Sequence, residues 1–188
     1  CEIPKKKKER AQFHKTVDPR LLQDAEFHAL HEQFQTKIDL AKELVEAAIR
    51  HKLPFGVVLF DSWYLAKEFI ACLRRRKKDW ISILKKNRKL ETNSFVLKDA
   101  EGKRIPLEGA HISVEDLVTL IPANAYRTVK IGDQIYWTFT LSVRIPDLGK
   151  VRLVISFDNA ELKGTYAVLV SNRVDWTAQR IIATYLQR

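Results

Sequence analysis

A chain of 188 residues is long enough to bury the core of one domain carrying an insertion, or of two small domains. Lysine and arginine number 33 against 23 aspartates and glutamates, a net charge of +10, which favours a polyanionic partner such as nucleic acid or an acidic membrane face. No apolar stretch approaches the roughly 20 residues of a membrane span, the first residues lack the apolar core of a signal peptide, and Cys1 and Cys72 make no disulfide framework, so a cytoplasmic protein without a membrane role is expected. The chain opens on Cys and contains no Met, which suggests a piece of something longer.

Residues 1–20 carry seven basic side chains against Glu2, Glu9 and Asp18 and read as a basic arm or loop. Residues 21–34 suit a short helix with His28 and His31 on one face. No cysteine or acidic cluster nearby completes a zinc site, so a surface pair is expected. Thr36 with Asp39 three residues on starts a helix that runs to about His51. Its apolar stripe is Ile38, Ala41, Val45, Ala48 and Ile49, spaced to cover a sheet, and Lys52-Leu53-Pro54 ends it.

Phe55 to Phe60 is an apolar run that reads as a strand buried on both faces. It stops at Asp61. From Ser62 to Lys77 a helical period places Leu65, Phe69, Cys72 and Leu73 on one face, and Trp80 to Leu84 reads as a second strand. Strand, crossover helix and strand make a βαβ unit with parallel strands, and in open α/β sheets ligands bind outside the carboxyl ends of the strands. Asp61 stands at such an end. The plainer alternative is that Asp61 or Ser62 caps the following helix.

Between Arg74 and Lys89 there are nine basic residues and one acidic, Asp79. Arg74 to Lys78 suits the carboxyl end of a helix. Lys85, Lys86, Arg88 and Lys89 emerge at the same sheet edge as Asp61, and one phosphate backbone passing Asp61 would account for both clusters.

From about Leu90 the texture changes to short β-type runs, namely Ser94 to Leu97, Thr128 to Ile131, Tyr136 to Ile145, Val151 to Phe157 and Tyr166 to Val170. Turn residues separate them, among them Asp147-Leu148-Gly149 and Asp158-Asn159. Tyr136-Trp137-Thr138-Phe139 offers rings to unpaired bases or, more commonly, cross-strand packing. A helix resumes after Asn172, with Asp175 as its cap and Ile181, Ile182, Tyr185 and Leu186 as apolar positions.

A strand ending in Asp61-Ser62-Trp63-Tyr64, a basic βαβ unit, a β-rich interruption and a helix ending Tyr185-Leu186-Gln187-Arg188 together resemble the DDE transposases of bacterial insertion sequences, over nearly the whole chain. The resemblance implies an α/β fold, an incomplete ribonuclease-H-like core interrupted by a β-rich insertion. Its parts would be an arm (1–20), the first part of the core (21–89), the insertion (90–172) and the start of the core helix that returns to the active site (173–188). It implies Asp61 as the second of three catalytic carboxylates and a ligand of Mg²⁺ or Mn²⁺, with Lys85, Lys86, Arg88, Lys89, Tyr185 and Arg188 on DNA. Tyr185 and Arg188 match the first two members of a signature reading Tyr, two residues, Arg, three residues, Glu. The glutamate would fall just past Arg188 and the first aspartate upstream of Cys1, so the chain by itself is expected to be inactive, its parent to pair as a homodimer on transposon ends and target DNA. Two rivals stand beside this reading: a non-enzymatic nucleic-acid-binding module in which Asp61 only caps, and an unrelated nuclease using Asp61 and Asp158 as metal ligands.

Overall fold

The computed structural model describes residues 25–26 and 35–188, and residues 1–40 and 41–188 form two compact units. The expected basic arm and the His28/His31 pair lie outside the described residues. Thr36 of the first unit opens, with a capping box, helix α1 (Lys37–Arg50), whose residues from Ala41 on belong to the second unit. The Asp39 N–H donates to Thr36 Oγ1 at 3.1 Å, and the Thr36 hydroxyl donates to the Asp39 carboxylate at 2.5 Å.

The second unit is built on a six-stranded mixed sheet in the order β1 (Val57–Phe60), β2 (Asp79–Ile83), β8 (Tyr166–Ser171), β7 (Gly149–Phe157), β6 (Gln134–Ile145), β5 (Arg127–Ile131). Its mixed α/β class is the one expected. β1 and β2 are parallel, with Leu59 opposite Ile81, and helix α2 (Lys67–Arg75) makes the crossover between them. All other neighbours are antiparallel. A separate two-stranded ribbon, β3 (Lys89–Glu91) with β4 (His111–Ser113), packs beside β6 and leads into helix α3 (Val114–Leu120).

Alternation along β1 and β2 assigns the two faces. Ile81 joins Val154, Leu169, Trp176, Ile181 and Ile182 in one core cluster, against which Val57 and Leu59 pack; this is the face covered by helix α4 (Ala178–Tyr185). Phe60 lies on the opposite face, its ring 5.2 Å from Phe69 of α2 and 5.9 Å from Trp80. There Phe69, Cys72 and Leu73 are buried as the helical period predicts, and Ile70 is buried with them. The contacts that fix α1 beside this layer run to the end of α2: Arg76 holds the Glu46 carboxylate through both Nε at 2.7 Å and Nη2 at 2.6 Å. That guanidinium keeps the Glu46 carboxyl below the usual carboxylate range. In α1 only Val45 is buried, and Ile38, Ala41, Ala48 and Ile49 are half-buried, so its stripe is not the fully sheet-covering face expected.

Several boundaries differ from the sequence reading. Among the described residues β1 lies at the edge of the sheet, and Val57, Val58 and Leu59 are half-buried instead of enclosed on both faces. Within the stretch 90–172, β5–β8 continue the sheet of β1 and β2. Ser94 to Leu97 is not a strand: a 3-10 turn at Thr92–Ser94 intervenes, and Ser94 Oγ is committed to the Glu91 carbonyl and the Arg144 N–H. Asp175 does not cap α4. Thr177 does, accepting from the Arg180 N–H at 3.2 Å, while Asp175 pairs with Arg173 at 2.7 Å. Leu186 lies past the last turn of α4 and is 57% exposed.

Leu73 has no exposed surface, so Leu73→Ala is expected to cost about 2–5 kcal/mol of unfolding free energy through lost burial and a residual cavity. Urea unfolding checks this, and a loss under about 1 kcal/mol would mean that α2 is not anchored there. Tyr126, packed tilted against Phe139 and edge-on to Phe157, is pushed by burial up to about 12. A raised phenol contributes stability that is whole below the unfolded value near 10 and is lost as pH rises to about 12. Tyr126→Phe is expected to flatten part of the stability decline between pH 10 and 12, measured by denaturant midpoints; an unchanged slope would remove Tyr126 from it.

Candidate active site at the end of β1

Asp61 is the residue after β1, and its side chain organises the chain that follows. Its Oδ1 accepts the Trp63 N–H at 2.8 Å, and its carbonyl accepts the Tyr64 N–H at 3.1 Å. This is an Asx turn, in which a short carboxylate offers the backbone an alternative to helix. The helix expected from Ser62 accordingly begins only at Lys67, with Ala66 at its N-cap and no side-chain cap bond. Neither Asp61 nor Ser62 caps α2. Among the described residues, Oδ2 of Asp61 has no hydrogen-bond partner.

α4 delivers its last turn to the same place. Ile181 and Ile182 are buried in the cluster with Ile81, Val154 and Leu169, and Tyr185 packs against it. The Tyr185 hydroxyl donates to the Phe60 carbonyl at 3.3 Å and accepts from Arg188 Nη1 at 2.5 Å. Burial raises the Tyr185 phenol above its ordinary value, the Arg188 charge and hydrogen bond oppose that, and the nearby Asp61 charge adds to it. Tyr185 and Arg188, 124 residues and more along the chain from Asp61, thus meet it at the carboxyl end of β1.

The basic loop after β2 divides. Lys85 Nζ sits 4.6 Å over the Trp63 ring. Lys85, Arg88 and Lys89 share with Ser62 and Asp147 a cleft of about 500 Å³, roofed by Pro146, whose carbonyl accepts from Arg88 Nη2 at 3.3 Å. Lys86 turns away, its Nζ 3.8 Å over the Tyr166 ring at the start of β8. The structure therefore brings Lys85, Arg88 and Lys89 together beside Ser62, with Lys86 one strand further on. Arg74–Lys78 precedes β2 and Lys85–Lys89 follows it, so the two clusters sit at opposite ends of that strand. A single backbone passing Asp61 does not account for both.

The sequence reading gave no role to Trp63 or to the β6–β7 turn. Trp63 is 74% exposed two residues from Asp61, and its adjacency was the signal. The turn carries Asp147, whose Oδ1 is 3.9 Å from Lys67 Nζ; only the long antiparallel pairing of β6 and β7 reveals that it reaches α2. Asp158 follows β7, three strands from β1, a separation of about 14 Å at ordinary strand spacing. Two ions about 4 Å apart cannot bridge such a gap, which sets aside the nuclease that would use Asp61 with Asp158. Asn159 Nδ2 donates to the Asp158 carboxylate and to the Lys163 carbonyl, both at 2.9 Å, as a turn pair does.

For a divalent ion such as Mg²⁺ or Mn²⁺, a carboxylate oxygen is the right class of donor, and Asp61 has one to give. Among the described residues no group of three or more His, Cys, Asp or Glu gathers around a common point. Asp61 fits as one ligand of such an ion.

The family model described as DDE superfamily endonuclease matches residues 12–131. That interval contains β1, Asp61, α2, β2 and the basic loop, and ends with β5. Tyr185 and Arg188 lie beyond it, so their place beside Asp61 is a separate, geometric observation. No curated protein matches. With Asp61 at the end of a parallel strand, cations on the adjoining loop and the family's pattern running over well over half of its residues, the chain belongs to the DDE superfamily endonucleases.

Proposed function

We propose that this chain is the central part of a transposase catalytic domain, whose complete protein cleaves and joins DNA strands at transposon ends, with Asp61 as the middle one of three carboxylates. The observation that carries the reading is the meeting of Asp61 with Tyr185 and Arg188 through the Phe60 carbonyl, because Asp61 and the Tyr185–Arg188 pair are distant in sequence and match two separate motifs. A bound Mg²⁺ or Mn²⁺ pair would supply Lewis-acid activation of a water or 3′-hydroxyl and stabilise the leaving oxygen. Two further carboxylates are needed beside Asp61; a glutamate four positions after Arg188 in the reading frame is the one the signature calls for. Without them the described residues hold too few oxygen donors for catalysis.

The chain's own residues have distinct tasks in this scheme. Asp61 uses Oδ1 to fix the turn and keeps Oδ2 for the ion. Lys85, Lys86, Arg88 and Lys89 hold the DNA backbone by charge, a salt-sensitive contribution. Tyr185 has one proton, committed to Phe60, so it acts as a positioning residue for Arg188, whose remaining N–H groups meet a phosphate. A homodimer on paired DNA ends, in the cytoplasm, completes the proposal.

In the complete protein, Asp61→Ala is expected to reduce Mg²⁺-dependent strand cleavage to background while DNA binding keeps its salt dependence. A gel assay of nicked product decides it, and cleavage that survives takes Asp61 out of the mechanism. If binding is salt-sensitive and no metal-dependent cleavage is found even in the unaltered complete protein, the chain is a binding module instead. Tyr185→Phe is expected to weaken DNA binding by about 2–10-fold, the worth of one lost hydrogen bond, and Arg188→Ala by at least as much. An unaltered affinity in both variants would leave that pair no role in holding DNA.

A further inference from the structure

The end of the sheet remote from Asp61 carries a second concentration of charge. Arg74 and Lys77 at the close of α2, Lys78 before β2 and Lys150 in β7 line one cleft of about 360 Å³. None of the four makes an ion pair among the described residues. Arg74 Nη2 donates to the Leu148 carbonyl at 3.1 Å and Lys78 Nζ to the Phe55 carbonyl at 2.8 Å, both neutral acceptors. The one carboxylate in the cleft, Asp79, is already used: Arg173 Nη1 donates to one oxygen at 2.8 Å and Asn172 Nδ2 to the other at 3.0 Å. Asp79, whose partner Arg173 is shared with Asp175, is thus the one negative charge set against four positive ones in the cleft lining.

Four like charges around one opening repel each other unless an anion joins them. The floor is apolar, with Trp80 and Leu148 each 2% exposed, while Lys77 and Lys150 stand exposed on the rim. An isolated anion would be sunk among buried donors; a polymer running across the rim needs none. A DNA backbone presents such a run of anions, each strand carrying one charge per roughly 3.4 Å of helix axis. β2 separates this cleft from Lys85 by about 15 Å at ordinary strand rise.

We infer that this cleft is a second anchoring surface for the phosphodiester backbone of DNA, independent of the Asp61 end of the sheet. It goes beyond the strand-transfer proposal and does not need Asp61 to be a metal ligand. Lys77 and Lys150 give the phosphate contacts, and Arg74, tethered to the β6–β7 turn, sets the cleft's width.

The test is fluorescence anisotropy of the purified protein with a 30-base-pair duplex of arbitrary sequence between 50 and 200 mM salt. The double variant Lys77→Gln/Lys150→Gln is expected to lower the slope of log affinity against log salt by about 2, close to 0.9 for each phosphate contact. Lys77→Arg/Lys150→Arg is expected to restore it, which separates charge from misfolding. Lys85→Gln/Lys89→Gln should lower the slope by a similar amount, and all four together by about the sum. A slope in the Lys77/Lys150 glutamine variant within half a unit of the unaltered protein overturns the inference. So does a variant that weakens binding of inorganic pyrophosphate, or of phosphatidylserine vesicles, while the duplex slope stays unchanged. The readout involves no cleavage, so failure of the Asp61 assignment leaves it standing.

Discussion

The pairing of β1 with β2 is the constraint on which the rest depends. Parallel neighbours cannot be joined by a tight turn; they need a crossover of a dozen or more residues. α2 supplies it, anchored by Phe69, Ile70, Cys72 and Leu73. Because the strands run the same way, the residues that follow each emerge at one end of the sheet. Asp61 leaves β1 there and Lys85 leaves β2 there, and their neighbours Trp63 and Lys85 come within 4.6 Å. An antiparallel pairing would have put the carboxylate and the lysines at opposite ends.

α4 uses the same sheet from its other face. Ile81 sits at the centre of β2 and is fully buried under Ile181 and Ile182. Val57 and Leu59 extend that face along β1, and Asp61 is the next residue in the alternation. α4 crosses that face from Gln179, whose Nε2 donates to the Lys130 carbonyl of β5, to Tyr185 at the end of β1. Tyr185 reaches the Phe60 carbonyl for this reason, and Arg188 follows one turn later. Hydrophobic packing fixes the height of a polar contact that has little strength of its own.

Period-based reading recovered the long, regular parts. β6, β7 and β8 have enough alternation and enough flanking turn residues to be bounded within a few positions. The Thr36–Asp39 capping box was read directly. The same signal at Ser113–Asp116 opens α3, where Ser113 Oγ accepts the Asp116 N–H at 3.1 Å, and it went unread because seven residues are too few to show a helical period. The delayed start of α2 was hidden because Leu65 fits the helical stripe whether or not its backbone is helical. The candidate site was legible as three separate words, at Asp61, Lys85–Lys89 and Tyr185–Arg188. Their distances were not, since these depend on sheet order, and no local pattern states that β8 lies beside β2. The division of the basic residues between two ends of β2 was open to inspection once both strands were placed.

The Asx turn has a consequence for how charge and shape can be separated at Asp61. One oxygen of the carboxylate is a backbone acceptor, and the other has no hydrogen-bond partner among the described residues. An asparagine amide presents the same acceptor oxygen at the same reach and also favours Asx turns. Exchanging the acid for its amide would therefore preserve the bend that carries Trp63 and sets back the start of α2, while removing only the negative charge. Geometry and electrostatics, which most carboxylates at strand ends supply together, are here carried by two different atoms of one side chain.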